Sequence, residues 1–547
     1  KNINMTNKEI ANSFSLLAEL MELYEEASFK ISSYNNAYRV LRAVDRPLSE
    51  MSLTELKEIK GVGDAIANKI LELVKNGSMR VLNEYLEKTP SGIVALLGIK
   101  GMGVKKVQSL WKDLGIESPG ELLYACNENR LAELKGFGGK TQQNIKEQIE
   151  YYFQSLEKYR WASVEKEADD LLDDLSEIYE KVSLTGAFKQ LNPVLDAIEF
   201  VIEADDFNKL IEANLLNDVV ENNALLEGRC KKSNIKIKIY KADKGHFAEK
   251  LLQSSSSEML FSFVNSKVSD FKDLDEKTIF EKANMPFIPY EIRDFEGVEK
   301  MTEIPALVTQ KDIKGVVHAH CDYSDGVTTL KELADYVRSC GYTYLGITDH
   351  SQTAFYANGL KPERVLQQWD EIDSLNSAYT DFKILKGIES DIKYDGELDY
   401  EDNILSGFDF VIASVHSILK MPEEKATERL IKAIENPYTS ILGHPTGRLL
   451  LTRPGYPINH KKVIDACAAN KVVIEINSNP LRLDIDYTYL PYAIEKGVKI
   501  SINPDAHSKD GVHDIRYGIQ VARKGLLSAE HCINCLTANE FLKALKK

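Results

Sequence analysis

The sequence predicts a multidomain chain with a helical N-terminal third, an α+β middle and an α/β C-terminal domain whose seven strands form a distorted barrel. Three observations predict it. A Gly-apolar-Gly turn recurs three times within the first 150 residues. Seven short apolar runs alternate with helical stretches after residue 312. Nine side chains of metal-ligating type sit in or just after those runs. At 547 residues the chain is also too long for a single hydrophobic core.

Composition narrows the class. The chain is 43% apolar and 28% charged, an ordinary globular balance. No run approaches the ~18 apolar residues of a membrane helix, so no membrane partner is expected. The N-terminal stretch KNINMTNKEIANSF lacks an apolar signal core, which predicts a cytoplasmic protein, expected to be monomeric. The only close cysteine pair is Cys532 and Cys535, with no second such pair, so neither a disulfide framework nor a zinc knuckle is expected. The net charge of −16 argues against nucleic acid at first. Residues 1–150, however, carry 20 Lys+Arg against 20 Asp+Glu, and the remainder carries 48 against 64, so the whole excess lies outside the N-terminal third. A neutral, phosphate-binding N-terminal part and an acidic, metal-binding C-terminal part fit that split.

In the N-terminal third the repeated unit is a few helical residues, Gly-apolar-Gly, then another helix. It occurs as IKGVGDAIANKI (Gly61, Gly63), IKGMGVKKVQSL (Gly101, Gly103) and LKGFGGKTQQNI (Gly136, Gly138), spaced by 40 and 35 residues. Such glycines allow a tight hairpin that leaves backbone N–H groups at a helix start free for a phosphate oxygen. Lys105, Lys106 and Lys140 follow closely and add charge. One copy is no more than a tight interhelical turn. Three copies with the same apolar framing point to DNA backbone binding, and the pattern resembles helix-hairpin-helix motifs, which grip DNA without reading sequence.

Residues from about 160 to 305 read as α+β. Beside the repeats, this region resembles the palm and thumb of bacterial family X DNA polymerases. The chain order then matches a small helical domain (1–84), fingers (85–158), palm (159–240), thumb (241–305) and a C-terminal PHP domain (312–547). The family pattern G-S-x-R-R followed by D-I-D-hydrophobic corresponds here to Gly186-Ala187-Phe188-Lys189-Gln190 and Ala197-Ile198-Glu199-Phe200. The strand of the third aspartate, V-D-h-R-h, corresponds to Ile235-Lys236-Ile237-Lys238-Ile239, and the T-G-S segment to Ser254-Ser255-Ser256. On that alignment the polymerase carboxylates are replaced by Ala197, Glu199 and Lys236. Nucleotidyl transfer needs two divalent ions clamped by neighbouring carboxylates, and a lysine puts positive charge where a cation belongs. The expectation is a catalytically dead palm retained for shape or DNA binding. In the alternative alignment Asp196, or Asp205 and Asp206, take these roles at a spacing that fits the family poorly.

The C-terminal runs are GVVHAH, YLGITDH, KILKGIES, DFVIASVH, TSILGH, VVIEINS and VKISINPDAH. Strand–helix alternation predicts parallel strands with helical crossovers, and function at the C-terminal ends of the strands. The candidate ligands are His318, His320, Asp325, His350, Glu389, His416, His444, Asp505 and His507. The sixth run offers Glu475 and Asn477, followed by Asn479, Arg482 and Asp484. His-x-His places both imidazoles on one face of a strand. So many carboxylates and imidazoles on one rim would repel or go unsatisfied without cations. Mixed imidazole and carboxylate donors suit Mn or Zn better than Mg. The motifs HAH with SDG, TDH, GIE, SVH, GHP and DAH also resemble, in order, those of the PHP (polymerase and histidinol phosphatase) domain. TDHSQTAFYANGL and LGHPTGRLLLTRPGYPI look like PHP domains attached to family X polymerases. The resemblance implies three divalent metals on these nine positions, with Glu389 bridging, and an active phosphoesterase. Arg448 and Arg482 are candidates to neutralise phosphate charge, and His416 to assist the leaving oxygen.

The expected function is therefore a metal-dependent DNA phosphodiesterase. The resemblance implies 3′–5′ exonuclease action on gapped, nicked or single-stranded ends, with abasic-site cleavage or 3′-end processing in base-excision repair. Three other readings compete with it: an active bifunctional polymerase-exonuclease, a small-molecule phosphatase of the histidinol-phosphate type, and a non-catalytic DNA-binding scaffold.

Overall fold

The computed structural model describes residues 5–127, 131, 137–451 and 454–545. Two compact units divide the chain, Lys1–Leu156 and Glu157–Lys547. Among the described residues no helix is long and apolar enough to cross a membrane.

The first unit is helical. Its first helix, Asn7–Leu23, starts on a capping box in which Thr6 accepts from the Glu9 N–H and Glu9 reaches back to Thr6. Two of the Gly-x-Gly hairpins are formed as expected. Gly61 and Gly101 take positive φ (95° and 84°), a backbone state that a side chain resists. Gly63 and Gly103 then precede the helices Asp64–Asn76 and Val104–Leu114 as N-caps. Gly138 caps the helix Gly139–Ser155 in the same way, while Gly136 lies outside the described residues. The expected boundary at 84/85 falls inside the helix Arg80–Lys88, and one buried cluster runs from Ile10 to Ile149. A division of this unit into two domains is retained as a proposal.

The second unit begins with a two-residue ladder of β1 (Tyr159–Arg160) and β3 (Val194–Leu195). A five-stranded sheet follows in the order β2-β4-β7-β6-β5, built from β2 (Val182–Thr185), β4 (Ile198–Glu203), β5 (Leu216–Asn222), β6 (Leu225–Cys230) and β7 (Lys236–Ala242). Only β4 and β7 run parallel. Alternation along β7 buries Ile237 and Ile239, which join buried residues of β4 and β6 in a core with the helix Trp161–Ser176, while Ala242 packs separately with Val201 and Leu251. The helices Phe247–Ser254, Glu258–Lys267 and Glu276–Lys282 enclose a smaller core of their own.

Seven parallel strands then form one sheet in chain order: β8 (Gly315–Ala319), β9 (Tyr344–Ile347), β10 (Lys383–Asp391), β11 (Phe410–Ser414), β12 (Ile441–Leu442), β13 (Val473–Asn477) and β14 (Ile500–Asn503). Nearly every strand residue is buried, as befits a parallel sheet covered on both faces. The sheet comes close to shutting. At the ligand-bearing end β8 and the segment after β14 touch through a parallel bridge at Ala319 and Ala506. At the other end the seam is filled by Asn534. Its side chain accepts from Ile502 N–H at 2.8 Å and donates to Ile502 O at 3.0 Å and Gly315 O at 3.4 Å, while its carbonyl accepts from Lys314 N–H at 2.8 Å. A buried amide thus satisfies backbone groups that a closed barrel would pair directly.

The barrel and the middle region are tied together. The helix Ile515–Lys524 ends in Lys524, whose buried ammonium donates to Gln190 O (3.0 Å), Glu291 O (3.1 Å) and the Asp294 carboxylate (3.0 Å). On the same helix Arg516 makes a bidentate pair with Glu165 at 2.7 and 2.8 Å.

The Asn534 seam gives a stability prediction. Asn534→Ala leaves several buried backbone groups unpaired and should cost about 3 kcal/mol at roughly 1–3 kcal/mol per orphaned group. A urea titration of the full chain followed by intrinsic fluorescence reads this. A midpoint equal to the wild type would mean that the seam is held by packing alone.

Candidate metal centre

The strand ends deliver the ligand set to one place. His318 lies within β8 and His320 just beyond it, where the pairing with β9 shifts register and His318 takes φ 64°. The regular strand expected at His-x-His is thus bent at its first histidine, and both rings are nonetheless fully buried with centroids 5.5 Å apart. His350 follows β9, Glu389 lies in β10, His416 follows β11, His444 follows β12, and Asp505 and His507 follow β14. Asp505 also has positive φ, at 53°. Non-glycine residues held there are strained, and such positions gather at functional sites.

Glu389 is the centre. It is 1% exposed, and its carboxylate lies 3.0 Å from His444 Nε2, 3.1 Å from His416 Nε2, 3.1 Å from His350 Nδ1, 3.3 Å from His318 Nε2 and 3.6 Å from His320 Nε2. Asp505 stands 3.1 Å from His320 and 3.4 Å from His318. Asp325 stands 3.3 Å from His507, 3.6 Å from His350 and 3.7 Å from His320. Ligand atoms gather within 4.8 Å of one another in four overlapping groups: His320, Asp325, His350 and His507; His318, Glu389 and His444; His318, His320 and Asp505; His350, Glu389 and His416. All nine candidate residues fall within these groups, and Glu389 belongs to two of them.

The electrostatics fit cations. Burial pushes the Glu389 carboxyl up, but the His416, His318 and His350 imidazoles more than offset this and hold it well below the carboxylate range. Asp505 behaves likewise, with burial opposed by His318, His320 and His507. Burial drives His350 down to about 4, which leaves a neutral ring with a lone pair to give. Burial also lowers His416 and His507, but the carboxylates facing them win and carry them to about 10 and about 9. His318 Nε2, His320 Nδ1 and Glu389 Oε2 are buried without an aligned hydrogen bond. Buried lone pairs that face one another satisfy no one; divalent cations would satisfy them all.

Behind the ligands stands a layer of residues that the motif reading left without roles. Glu475 is fully buried, lies 2.6 Å from His318 Nδ1, and accepts from His444 N–H at 3.0 Å and Asn503 Nδ2 at 2.8 Å. It fixes His318 so that Nε2 points inward. Asp391 sits 2.5 Å from His416 Nδ1 and does the same for that ring. Asp349 accepts from the Cys321 and Ser324 N–H groups and from Gln368, which shapes the turn that presents Asp325. Asn477 Nδ2 donates to Asp505 at 3.0 Å. Their sequence signal was their place beside the ligands: Asp349 precedes His350, and Asp391 comes two residues after Glu389.

The two arginines differ. Arg482 Nε is 4.0 Å from Asp505 and partly exposed at the rim. Arg448 donates to Arg482 O (2.9 Å), Leu483 O and Asp486 (2.6 Å), so its guanidinium is committed to bracing the loop that carries Arg482. Of these two arginines, Arg482 is the one that stands beside Asp505.

In the middle sheet Ala197 is buried and Glu199 accepts from Tyr240 OH at 2.8 Å while packing over Gly186. Lys236 pairs with Glu227 at 3.4 Å, and Asp196, Asp205 and Asp206 are exposed. In the helical unit Lys105 and Lys140 are exposed, and Lys106 donates to Gly101 O at 3.1 Å.

Known families match along the chain. A helix-hairpin-helix domain matches residues 5–79, a SAM-like helix-hairpin-helix tandem residues 93–150, and the PHP domain residues 317–479. The DNA polymerase/3′-5′ exonuclease PolX of Bacillus subtilis (strain 168) is 31% identical over 571 residues, covering 99% of this chain and 100% of that protein. A probable phosphatase of Thermoanaerobacter sp. (strain X514) is 29% identical over 232 residues, 38% of this chain and 92% of the relative. One of Caldanaerobacter subterraneus subsp. tengcongensis is 36% identical over 135 residues, 23% of this chain and 51% of the relative.

The Glu475 contacts carry a prediction. Glu475→Gln keeps the side-chain shape but removes the charge behind His318, and should weaken metal retention by about 10–100-fold. Competition with a chelator, read by metal content of the full chain, measures it. Unchanged retention would leave Glu475 with a packing role only.

Proposed function

The chain belongs to the family of the DNA polymerase/3′-5′ exonuclease PolX, and on that premise we propose that it is a metal-dependent DNA phosphodiesterase that removes nucleotides from 3′ ends. The observation that carries this reading is the complete nine-residue ligand set around Glu389. We assign it three divalent ions, Mn or Zn, by the imidazole-rich donor set. When bound, such cations acidify water and neutralise charge on a phosphate ester. The protein's own residues do the rest. Glu389 is shared between two ligand groups. Asp391 holds the His416 ring with Nε2 turned toward Glu389, where it would help hold a cation able to neutralise charge on the departing oxygen. Arg482 places positive charge beside Asp505 for a non-bridging oxygen.

The N-terminal hairpins would hold the DNA. Exposed Gly63, Gly103 and Gly138 at helix starts offer backbone N–H groups to phosphates, with Lys105 and Lys140 nearby. The substrates proposed are gapped, nicked or single-stranded ends, with 3′-end processing or abasic-site cleavage in base-excision repair as the setting. The palm-like sheet is proposed to be inactive. Ala197 offers no ligand, Glu199 is occupied by Tyr240, and Lys236 by Glu227. A second reading, hydrolysis of a small phosphate monoester, is favoured only by the probable phosphatases that align with the C-terminal part. It leaves the helical unit without a task.

Two measurements test the proposal. Pure protein with Mn should shorten a 5′-labelled oligonucleotide from its 3′ end. His318→Ala should lower that rate beyond the about hundredfold typical of outer-shell losses. An intact oligonucleotide beside rapid release of phosphate from a small monoester would favour the phosphatase reading instead. In a primer-extension assay the same protein should add no template-directed nucleotides, and robust synthesis would overturn the inactive palm.

A further inference from the structure

Three loops of the barrel each lift an apolar side chain into solvent beside the ligand set. Phe355 is 84% exposed, Ile418 55% and Val327 46%. Each is rooted close to a ligand. Val327 is two residues beyond Asp325, and its N–H donates to His507 O at 2.9 Å. Ile418 is two residues beyond His416, and two residues span at most about 7 Å. Phe355 rides on a loop that leaves and returns at His350. Ser351 N–H donates to Glu389 O at 3.0 Å, and Leu360 N–H donates to His350 O at 2.8 Å.

That loop is braced on both sides of the phenyl ring. Thr353 Oγ1 donates to Asp391, the partner of His416, at 2.9 Å, and Thr353 N–H donates to Asp399 at 2.8 Å. Asn358 Nδ2 donates to Tyr323 O and Ser324 O, both at 3.3 Å, on the turn that carries Asp325. Ile418 is held too. Arg429 donates to its carbonyl at 3.3 Å and to Ser417 O at 3.1 Å. Its φ is 54°, a state that a β-branched residue adopts only against strain. Folding gains little from a phenyl ring and a strained isoleucine left in water, and their rigid placement next to the candidate ligands suits a bound partner.

We propose that this collar is a stacking platform for the nucleobase at the 3′ terminus of the strand being cut, with Phe355 as the principal contact. The inference rests on the nuclease reading and deepens it. A site whose floor takes phosphate oxygens and whose rim offers apolar faces matches a nucleotide, which joins an anion to a flat apolar ring. Stacking is also indifferent to sequence, since every base has a π-face.

The test compares two 5′-labelled oligonucleotides, one ending in an ordinary 3′ nucleotide and one in a 3′ tetrahydrofuran residue that lacks a base, cut by the full-length protein with Mn. Wild type should show a KM about tenfold lower for the base-bearing end, the size expected of one stacked base. Phe355→Ala should abolish that preference through KM rather than kcat, and Phe355→Trp should restore it. The double variant Phe355→Ala/Ile418→Ser should behave at least as severely. Wild-type cleavage with equal KM for both ends, or a Phe355→Ala variant that keeps the preference, would overturn the platform and leave the nuclease reading standing. Failure of wild type to cut either oligonucleotide would remove both. A Phe355→Ala variant that instead sediments as a monomer where wild type is a dimer would assign the collar to a second copy of the chain, and would also overturn the inference.

Discussion

A carboxylate buried among five imidazoles sets the terms for the whole C-terminal barrel. Glu389 lies within 3.6 Å of nitrogen atoms from His318, His320, His350, His416 and His444, almost out of contact with water. If every ring were protonated, the positive charge would be intolerable; if none were, lone pairs would face lone pairs. Protons can be shared only in part, as the opposite displacements of His350 and His416 illustrate. Interacting groups of this kind titrate as a set. Divalent cations resolve the conflict because they accept all the lone pairs at once. The outer carboxylates Glu475 and Asp391 then follow as a consequence, since each imidazole needs its other nitrogen pinned if the inner one is to point correctly.

The clustering of the nine candidate residues was legible in the sequence for a topological reason. In a parallel barrel every strand ends at the same rim, so residues that close successive apolar runs must meet there. The Gly-x-Gly repeats were legible because a positive φ leaves a residue-type signature, seen at Gly61 and Gly101. What was not legible depends on contacts across long separations. Asn534 closes a seam between strands that precede it by over two hundred and by about thirty residues, and nothing local marks it. Arg448 looked equivalent to Arg482 by type, and only the backbone carbonyls it grips distinguish the two. The bend at His318 likewise depends on its pairing with β9, which no pattern of alternation encodes.

The collar residues show how a site is read from what folding does not require. Phe355 contributes little buried area and Ile418 and Val327 are only about half buried, yet the loops carrying Phe355 and Ile418 are fixed by Thr353, Asn358 and Arg429. Rigid presentation of apolar surface is the opposite of what solubility favours. It becomes intelligible when the ligand brings its own apolar face, because a platform that is already ordered avoids the entropy of ordering it on binding.

The palm-like region has a structural task that does not depend on its own chemistry. Lys524 buries an ammonium at the junction of the barrel helix, Gln190 and the segment carrying Glu291 and Asp294. Burial presses its pKa down, and the Asp294 carboxylate opposes that. Asp294 itself is exposed, so the junction depends on the ammonium, which without these partners would be a buried charge left unpaired. Glu165 and Arg516 add a second tie nearby. Neither Ala197 nor Lys236 is among the partners of Lys524 or Arg516, which lie instead on the helix Trp161–Ser176 and on the segments carrying Gln190, Glu291 and Asp294. The palm-like region therefore braces the barrel through Lys524 and Arg516 independently of any chemistry in its sheet, so on the proposed reading an inactive palm still has a structural task.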